Sequence, residues 1–239
     1  SKEYGFSIIE DASHALGSKY SEEQIGSSAY SDISVFSFHP VKNITTGEGG
    51  MILTNNKEIA EKVNLYRSHG ITREANKLIN KNEGPWYYEQ LLLGFNFRMN
   101  EIQASLGISQ MNSLEKFILK RNDLAQIYTK ELKGLPLTIQ RVRKEDLSAW
   151  HIFVIHLKLK ELKLSRLEIY NSLREKGIGV NVHYIPVHLQ PFYKNLGFNK
   201  GDFPNSENYY DGAITIPMFT KLKKKEIKYV IQALKESID

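Results

Sequence analysis

The sequence has no cysteine among its 239 residues, which excludes disulfide bonds, thiol catalysis and thiolate metal sites. It also has no apolar run of about 18 residues, the length that spans a bilayer, and no signal-peptide pattern at its start. Hydrophobic residues still make up 41% of the chain, enough for one large domain or two smaller ones. We therefore expect a globular, soluble, cytoplasmic protein that has no membrane segment.

Charge of one sign is not concentrated in any long stretch either. Lysine and arginine outnumber the acids and give a formal net charge of +5, but they are scattered along the chain. The one dense basic run, residues 221–228, lies where a final helix is expected to begin. The apolar positions at helical spacing in this region are Ile227, Val230, Ile231, Leu234 and Ile238. A solvated helix face explains the run better than a nucleic-acid surface does.

The first half of the chain alternates strand and helix patterns. Strands are predicted at residues 6–10, 33–37 and 51–54, and a helix is predicted at 57–67. Such alternation is typical of an α/β layered domain with a mainly parallel sheet. The polar residues 72–84 lack periodicity, which predicts a loop near a site or an interface.

A domain boundary is predicted at Gly134-Leu135-Pro136, which ends a helical stretch that begins behind the N-cap residue Asn100. Beyond it, the patterns predict a strand at 151–158, a helix at 165–176, a strand at 180–184 and the closing basic helix. We therefore assign residues 1–134 to a large domain with interdomain helices. Residues 135–239 are assigned to a smaller α+β domain.

Two segments carry residues with distinctive chemistry. An apolar run at 6–10 leads into Asp11, and Lys42 follows 31 residues later within SFHPVKNITTGEGG at 37–50. A lysine can bind an aldehyde cofactor covalently, and a carboxylate at a strand end can keep a ring nitrogen of that cofactor protonated. Taken alone, a lysine is most often a solvated surface residue, and an acid at a strand end is usually a helix cap or a turn former.

The wider sequence around both residues resembles a known family. EDASHALG at 10–17, SFHPVKNITTGEGG at 37–50 and LGFNFRMNEIQASLG at 93–107 occur in the order found in the DegT/DnrJ/EryC1/StrS sugar-nucleotide aminotransferases. HYIPVHLQPFY at 183–193 and DFPNSENYYDGAITIPMF at 202–219 extend the resemblance over essentially the whole chain. It implies an α/β enzyme of the aspartate aminotransferase-like fold type I, which uses pyridoxal 5'-phosphate (PLP) to aminate keto sugars.

The same resemblance implies catalytic and cofactor-binding roles. Lys42 would form the Schiff base with PLP and carry protons, and Asp11 would hold the ring nitrogen protonated. His14 would contact the ring hydroxyl, and Ser37 and Asn96 would bind the cofactor phosphate. Without the resemblance, His14 is equally a turn histidine and Ser37 a strand-end serine.

Substrate contacts are implied for Arg98, His183 and Tyr184. A guanidinium binds a carboxylate through two hydrogen bonds, which suits an amino donor such as L-glutamate. In family dimers, residues at the positions of Asn96 and Arg98 reach the other subunit's site, although a helix cap and a surface arginine are the alternative.

His183 and His188 are five residues apart, but no acid or cysteine lies at ligand spacing, so no metal site is predicted.

The aromatic residues 86–88 are a further candidate for the nucleotide side of the substrate, with packing at an interface as the alternative. The resemblance implies a homodimer with shared active sites. The scattered basic residues and the lack of a long apolar run predict no nucleic-acid or membrane partner.

The function implied is transfer of an amino group from L-glutamate to the 4-keto carbon of a UDP-linked 2-acetamido-2,6-dideoxy-hexos-4-ulose, in pseudaminic acid or related surface-sugar biosynthesis. Enzymes of the perosamine, aminoarabinose and bacillosamine type are close alternatives. Dehydratases of the same scaffold carry histidine in place of the lysine, and Lys42 argues against them.

Family members carry a phosphate-binding loop ahead of the segment that contains Asp11, and no such loop is found in this chain. We therefore expect the sequence to be the C-terminal three fifths of a longer polypeptide. A catalytically inactive fragment that binds a partner is the remaining alternative.

Overall fold

The computed structural model describes residues 1–80 and 83–238, and their contacts divide into two units. The first unit comprises Ser1–Glu115 and Glu145–Ala149, and the second comprises Lys116–Lys144 and Trp150–Asp239. The loop predicted at 72–84 includes Lys81 and Asn82, which lie outside the described residues, as does Asp239. In the described part of the chain, no helix combines the length and hydropathy needed to cross a bilayer.

Short strands make up the sheets of the first unit. They are β1 (Ile9–Asp11), β2 (Lys19–Tyr20), β3 (Glu23–Gln24), β4 (Ile33–Ser37), β5 (Gly50–Leu53), β6 (Ile71–Thr72) and β7 (Glu89–Gln90). The main sheet has the order β1-β4-β5, in which β1 is parallel to β4 and β4 is antiparallel to β5. Strands β2 and β3 form an antiparallel pair, and so do β6 and β7. The strands predicted at 33–37 and 51–54 are confirmed, and β1 is shorter than predicted because pairing with β4 begins only at Ile9.

The helices of the first unit begin at side-chain caps. The predicted helix at 57–67 is confirmed as α1 (Lys57–Arg67), and the Asn56 side chain accepts hydrogen bonds from the first turn. Helix α2 (Glu101–Met111) begins with a capping box between Asn100 and Gln103. Asn100 is therefore the N-cap that the sequence predicted.

The second unit is an antiparallel sheet with helices. Its elements are α3 (Leu114–Glu131, of which the first two residues belong to the first unit), β8 (Leu137–Ile139), β9 (Phe153–Leu157), α4 (Arg166–Glu175), α5 (Pro191–Asn195), α6 (Pro204–Gly212), β10 (Ala213–Ile216) and α7 (Lys224–Ile238). The strand order is β10-β9-β8, and single 3₁₀ turns lie at Leu159–Glu161 and Val187–Leu189. The predicted helix at 165–176 is confirmed as α4, which starts with a capping box between Ser165 and Glu168.

One hydrophobic core occupies the second unit. Alternate residues of β9, namely Phe153, Ile155 and Leu157, are buried, as period-two alternation requires. The predicted apolar stripe of α7 is confirmed, since each of its positions is buried: Ile227, Val230, Ile231, Leu234 and Ile238. The lysines of the basic run lie outside this stripe, on the exposed positions of the same segment.

The strand predicted at 180–184 is wrong. The only pairing in this segment is a single bridge between Asn181 and Thr215, among the described residues. Asn181 and Thr215 exchange backbone hydrogen bonds of 3.2 and 2.7 Å, so the N–H of Val182 points away from β10, and there the Asn181 side chain accepts it at 2.8 Å. Pro186 then follows with no N–H to donate. Local side-chain bonding therefore takes the place of a strand partner on the side away from β10.

Candidate active site

The strand ends of the main sheet position two of the predicted site residues. Asp11 is the last residue of β1 and lies opposite Val35 of β4, and Ser37 is the last residue of β4. Because β1 and β4 are parallel, both strands end at the same edge of the sheet. The loop with His14 and the turn with Lys42 both leave from this edge.

The Asp11 carboxylate is held in its charged form. The hydroxyl of Ser13 and the N–H of Ser13 donate to Asp11 Oδ1 at 2.5 and 3.0 Å, and they hold the pKa of the carboxyl below its usual value. The nearby charges of His14 and Lys42 lower the pKa further. In the described chain, Asp11 Oδ2 accepts no hydrogen bond. One carboxylate oxygen is therefore free to accept from a ligand.

The Lys42 amine is half-buried and makes no hydrogen bond or ion pair within residues 1–80 and 83–238. Burial lowers the pKa of this amine, and the negative charge of Asp11 offsets part of that effect. A lowered pKa leaves more of the amine unprotonated, which a nucleophilic lysine requires. Lys42 lowers the pKa of Asp11, and Asp11 raises the pKa of Lys42. The fold therefore brings the two charges within electrostatic reach of each other.

A compact turn holds Lys42 between β4 and β5. The backbone oxygen of Phe38 accepts from Thr46 N and from Thr45 Oγ1, both at 3.0 Å, while Lys42 N donates to His39 O at 2.9 Å. The Gln110 side chain on α2 accepts from Thr45 N at 3.1 Å. The backbone beside Lys42 is thus fixed by bonds to the turn itself and to a helix.

Glycine is required in this turn because of close approaches. A Cβ atom added to Gly49 would lie 2.3 Å from Thr46 Oγ1, and one added to Gly50 would lie 2.7 Å from Phe36 O. A Cβ on Gly107 of α2 would lie 2.8 Å from Thr46 Cγ2. A side chain at any of these three glycines would therefore displace atoms that form the turn.

The other predicted cofactor residues of this edge are half-buried. The hydroxyl of Ser37 accepts from His39 N at 3.4 Å, and His14 acts electrostatically on Asp11. Both lie in the segments that carry the two catalytic candidates. Their contacts with a cofactor remain predictions.

Asn96 and Arg98 lie on an exposed part of the first unit. Asn96 forms a bridge with Ser68, and Arg98 makes no ion pair within the described residues. Phe95 and Phe97 are their neighbours in the sequence, and the two exposed rings stack with their centroids 4.9 Å apart. No described hydrogen bond or ion pair joins Asn96 or Arg98 to Asp11 or Lys42.

His183 and Tyr184 belong to the second unit. Asn181 Oδ1 accepts from Val182 N, so the Asn181 amide nitrogen faces His183 Nε2 at 3.3 Å. His183 Nδ1 lies 2.8 Å from Thr215 Oγ1, at hydrogen-bond distance. The Tyr184 ring meets the His183 ring edge-on at 4.5 Å and is more than half exposed. Tyr184 can therefore offer its hydroxyl to a ligand, whereas His183 is bonded at both nitrogens.

The sequence reasoning missed Ser13 as the partner of Asp11. The Asp-x-Ser spacing is a signal for a local turn in which a carboxylate accepts from the residue two positions on, and it could have found this pair. In the described part of the chain, no group of three or more potential ligands could hold a metal ion.

Comparison with known proteins gives three informative similarities. A transaminase of Campylobacter jejuni, named for UDP-4-amino-4,6-dideoxy-N-acetyl-beta-L-altrosamine, is 37% identical over 98% of this chain and 59% of its own length. The solved structure of Helicobacter pylori PseC, an aminotransferase involved in the biosynthesis of pseudoaminic acid, has a TM-score of 0.89 at 32% identity, over 99% of this chain and 61% of its own. The PLP-form of the putative sugar aminotransferase Spr1654 from Streptococcus pneumoniae has a TM-score of 0.84 at 29% identity, over 97% of this chain and 57% of its own.

This chain spans about three fifths of the length of the curated relatives that it matches. Its α/β fold is that of the solved aminotransferases, which agrees with the predicted fold type I class. A family model for the DegT/DnrJ/EryC1/StrS aminotransferases matches residues 1–235. The chain therefore belongs to the DegT/DnrJ/EryC1/StrS aminotransferase family.

Proposed function

We propose that this protein is a PLP-dependent sugar-nucleotide aminotransferase in which Lys42 and Asp11 are the catalytic residues. The observation that carries the proposal is the pair itself. An amine without a hydrogen-bond partner in the described chain and a carboxylate with one free oxygen leave the same sheet edge, and their charges interact. Burial lowers the pKa of the lysine, which favours covalent binding of an aldehyde cofactor, and the carboxylate can hold the ring nitrogen of that cofactor protonated.

The residues at this edge fit PLP. Bound there, the cofactor would supply a ring that accepts the electrons released when a substrate carbon loses its proton. Lys42 Nζ would bind the aldehyde and move protons, and the ionised Asp11 would keep a proton on the ring nitrogen through Oδ2. His14 would orient the ring hydroxyl, and Ser37 would donate to the phosphate.

The proposed substrate is a UDP-linked 2-acetamido-2,6-dideoxy-hexos-4-ulose that receives its 4-amino group from L-glutamate. The names of the Campylobacter jejuni and Helicobacter pylori proteins, which refer to UDP-altrosamine and pseudoaminic acid chemistry, support this choice. The unpaired guanidinium of Arg98 suits the carboxylate of the amino donor. The exposed Tyr184 hydroxyl suits a sugar hydroxyl, and the His183 ring supports Tyr184 by edge-on packing.

A homodimer with shared sites is part of the same proposal. Arg98 and Asn96 are exposed and lie among exposed apolar side chains, since Phe97 is 72% and Leu93 is 82% exposed. A second copy would cover this surface and receive Asn96 at its cofactor phosphate. In water, such neighbouring apolar side chains favour association.

The test is to incubate the full-length protein with PLP, reduce it with borohydride and map the labelled peptide. We expect the label on Lys42, and Lys42→Ala is expected to lose both the label and transamination of a UDP-keto sugar. Lys62→Ala is the matched control, because Lys62 is an exposed lysine of α1 in the same unit. Recovery of the label on another lysine would contradict the proposal.

A further inference from the structure

Asn43, the residue after Lys42, is almost fully buried, with 8% of its surface exposed. Its side-chain nitrogen donates to the backbone oxygens of Leu16 at 3.4 Å and of Ala149 at 3.3 Å. Leu16 lies in the loop that follows Asp11 and contains His14. One side chain therefore joins the Lys42 turn to the loop that begins at Asp11.

The second acceptor of Asn43 belongs to a segment that is itself bonded to this loop. Residues 145–149 are part of the first unit. Lys19 and Leu147 exchange backbone hydrogen bonds of 2.8 and 3.0 Å, and Ala149 N donates to Ser18 Oγ at 2.9 Å. Asn43 thus connects the Lys42 turn to an assembly that is already fixed by other bonds.

Stability alone is a weak explanation for an asparagine at this position. Asn43 Oδ1 is buried and has no hydrogen-bond partner among the described residues. An unpaired buried acceptor lowers the stability of a fold by about as much as two ordinary hydrogen bonds raise it. The two donated bonds and the unpaired oxygen therefore roughly cancel. What the amide provides is a defined position for the turn.

We infer that Asn43 is a positioning residue for Lys42, which keeps the amine half-buried and within electrostatic reach of Asp11. The inference rests on the proposed function of Lys42. Asn43 acts through the backbone of its own turn, and its donated bonds go to Leu16 and Ala149 rather than to any reacting group.

Loosening the turn has a predictable effect on the amine. Burial is the main influence on Lys42 and lowers its pKa, while Asp11 raises it by a smaller amount. If the turn moves toward solvent, both influences weaken, and the larger one determines the net change. The Lys42 pKa should then rise toward that of an ordinary lysine.

The test uses the full-length protein without cofactor, in the parent form and as Asn43→Leu and Asn43→Ser. Leucine keeps the volume without the donor, and serine supplies a second variant if leucine prevents folding. Asn56→Ala is the matched control, because it removes another asparagine with two side-chain hydrogen bonds in the same unit and also lowers the stability of the fold. Competitive acetylation over a pH series, read by mass spectrometry, gives the labelling midpoints of Lys42 and of the exposed Lys62.

In the parent protein and in Asn56→Ala, we expect Lys42 to be labelled with a lower midpoint than Lys62. In a folded Asn43 variant, the Lys42 midpoint should move up toward that of Lys62. An unchanged Lys42 midpoint in the folded variant, or an equal shift in Asn56→Ala, would overturn the inference. Borohydride labelling with PLP in the same proteins is a separate arm, and its failure in the parent would count against the proposed function alone.

Discussion

The proposed chemistry depends on single residues at the sheet edge where β1 and β4 end. Substitution of Asp11 is the most direct test of it. Asp11→Asn keeps an oxygen that can accept from Ser13, so the local turn should remain. The neutral amide cannot hold a ring nitrogen protonated, and we expect activity to fall by about 100-fold or more, which is about 2.7 kcal/mol of transition-state stabilisation. Steady-state rates of the full-length protein measure this, with Ser13→Ala as a control that keeps the carboxylate. A variant within about threefold of the parent would make Asp11 a structural residue.

The hydrogen-bond partners of the candidate site residues differ in how far they lie along the chain, and this distance decides whether the sequence can predict them. Asp11 and Lys42 stand in continuous motifs, and Ser13 is two residues from Asp11. Asn43 donates to Ala149, 106 residues away, and His183 is bonded to Thr215, 32 residues away. Partners at such distances have no periodicity or motif in the sequence, so only the folded chain identifies them.

At the scale of elements, the buried pair of Glu207 and His188 anchors an otherwise exposed segment of the second unit. Glu207 Oε1 on α6 accepts from Gly201 N at 2.7 Å and contacts His188 Nε2, in the 3₁₀ turn 187–189, at 2.8 Å. The Gly201 N–H and the His188 contact hold the pKa of the Glu207 carboxyl below its usual value. Residues 190–206 between these anchors are mostly exposed.

The pKa of Glu207 is lower in the folded protein than the ordinary glutamate value of 4.5. Its negative charge therefore stabilises the folded state at pH values above 4.5. That contribution is lost as the pH falls through the lowered folded value. We expect Glu207→Gln to be less stable than the parent at pH 7 and the difference to shrink below pH 4.5. Urea unfolding at several pH values measures it, and a difference that does not change with pH would contradict the assignment.

Element prediction succeeded where the local signals in the sequence were strong. Helix α1 has an asparagine cap and α4 a capping box, and β4 pairs on both sides, so their predicted bounds match the structure closely. The segment 180–184 has strand-forming residues, but the Asn181 side chain satisfies the Val182 N–H locally. A pattern of apolar residues does not reveal that competition.

On the scale of the whole molecule, burial is distributed unevenly between the units. In the described part of the first unit, the buried apolar residues are Ala12, Phe36, Phe38, Ile44 and Ala149, and α1 buries none. The core cluster lies in the second unit. Apolar burial is the main source of stability. The free energy of local opening should therefore be higher in the second unit than in the first.

Hydrogen exchange of the 239-residue chain tests this expectation. Amides of β9 and β10 should exchange slowest, and those of β1 and β5 should exchange faster by at least about tenfold, because each 1.4 kcal/mol of opening free energy gives that factor. Amides of the exposed α5 serve as the fast reference within the second unit. Equal protection of β1 and β9 would show that the buried apolar residues do not determine local stability here.

The return of residues 145–149 to the first unit limits how this protein can be divided or recombined. The chain passes from the first unit to the second after Glu115, comes back at Glu145 and leaves again after Ala149. A chimera joined at any single point between 116 and 144 would take Ala149 and Leu147 from a different parent than Ser18, Lys19 and Asn43. A chimera that keeps these contacts within one parent therefore needs crossovers on both sides of residues 145–149. That segment must come from the same parent as the turn that contains Lys42.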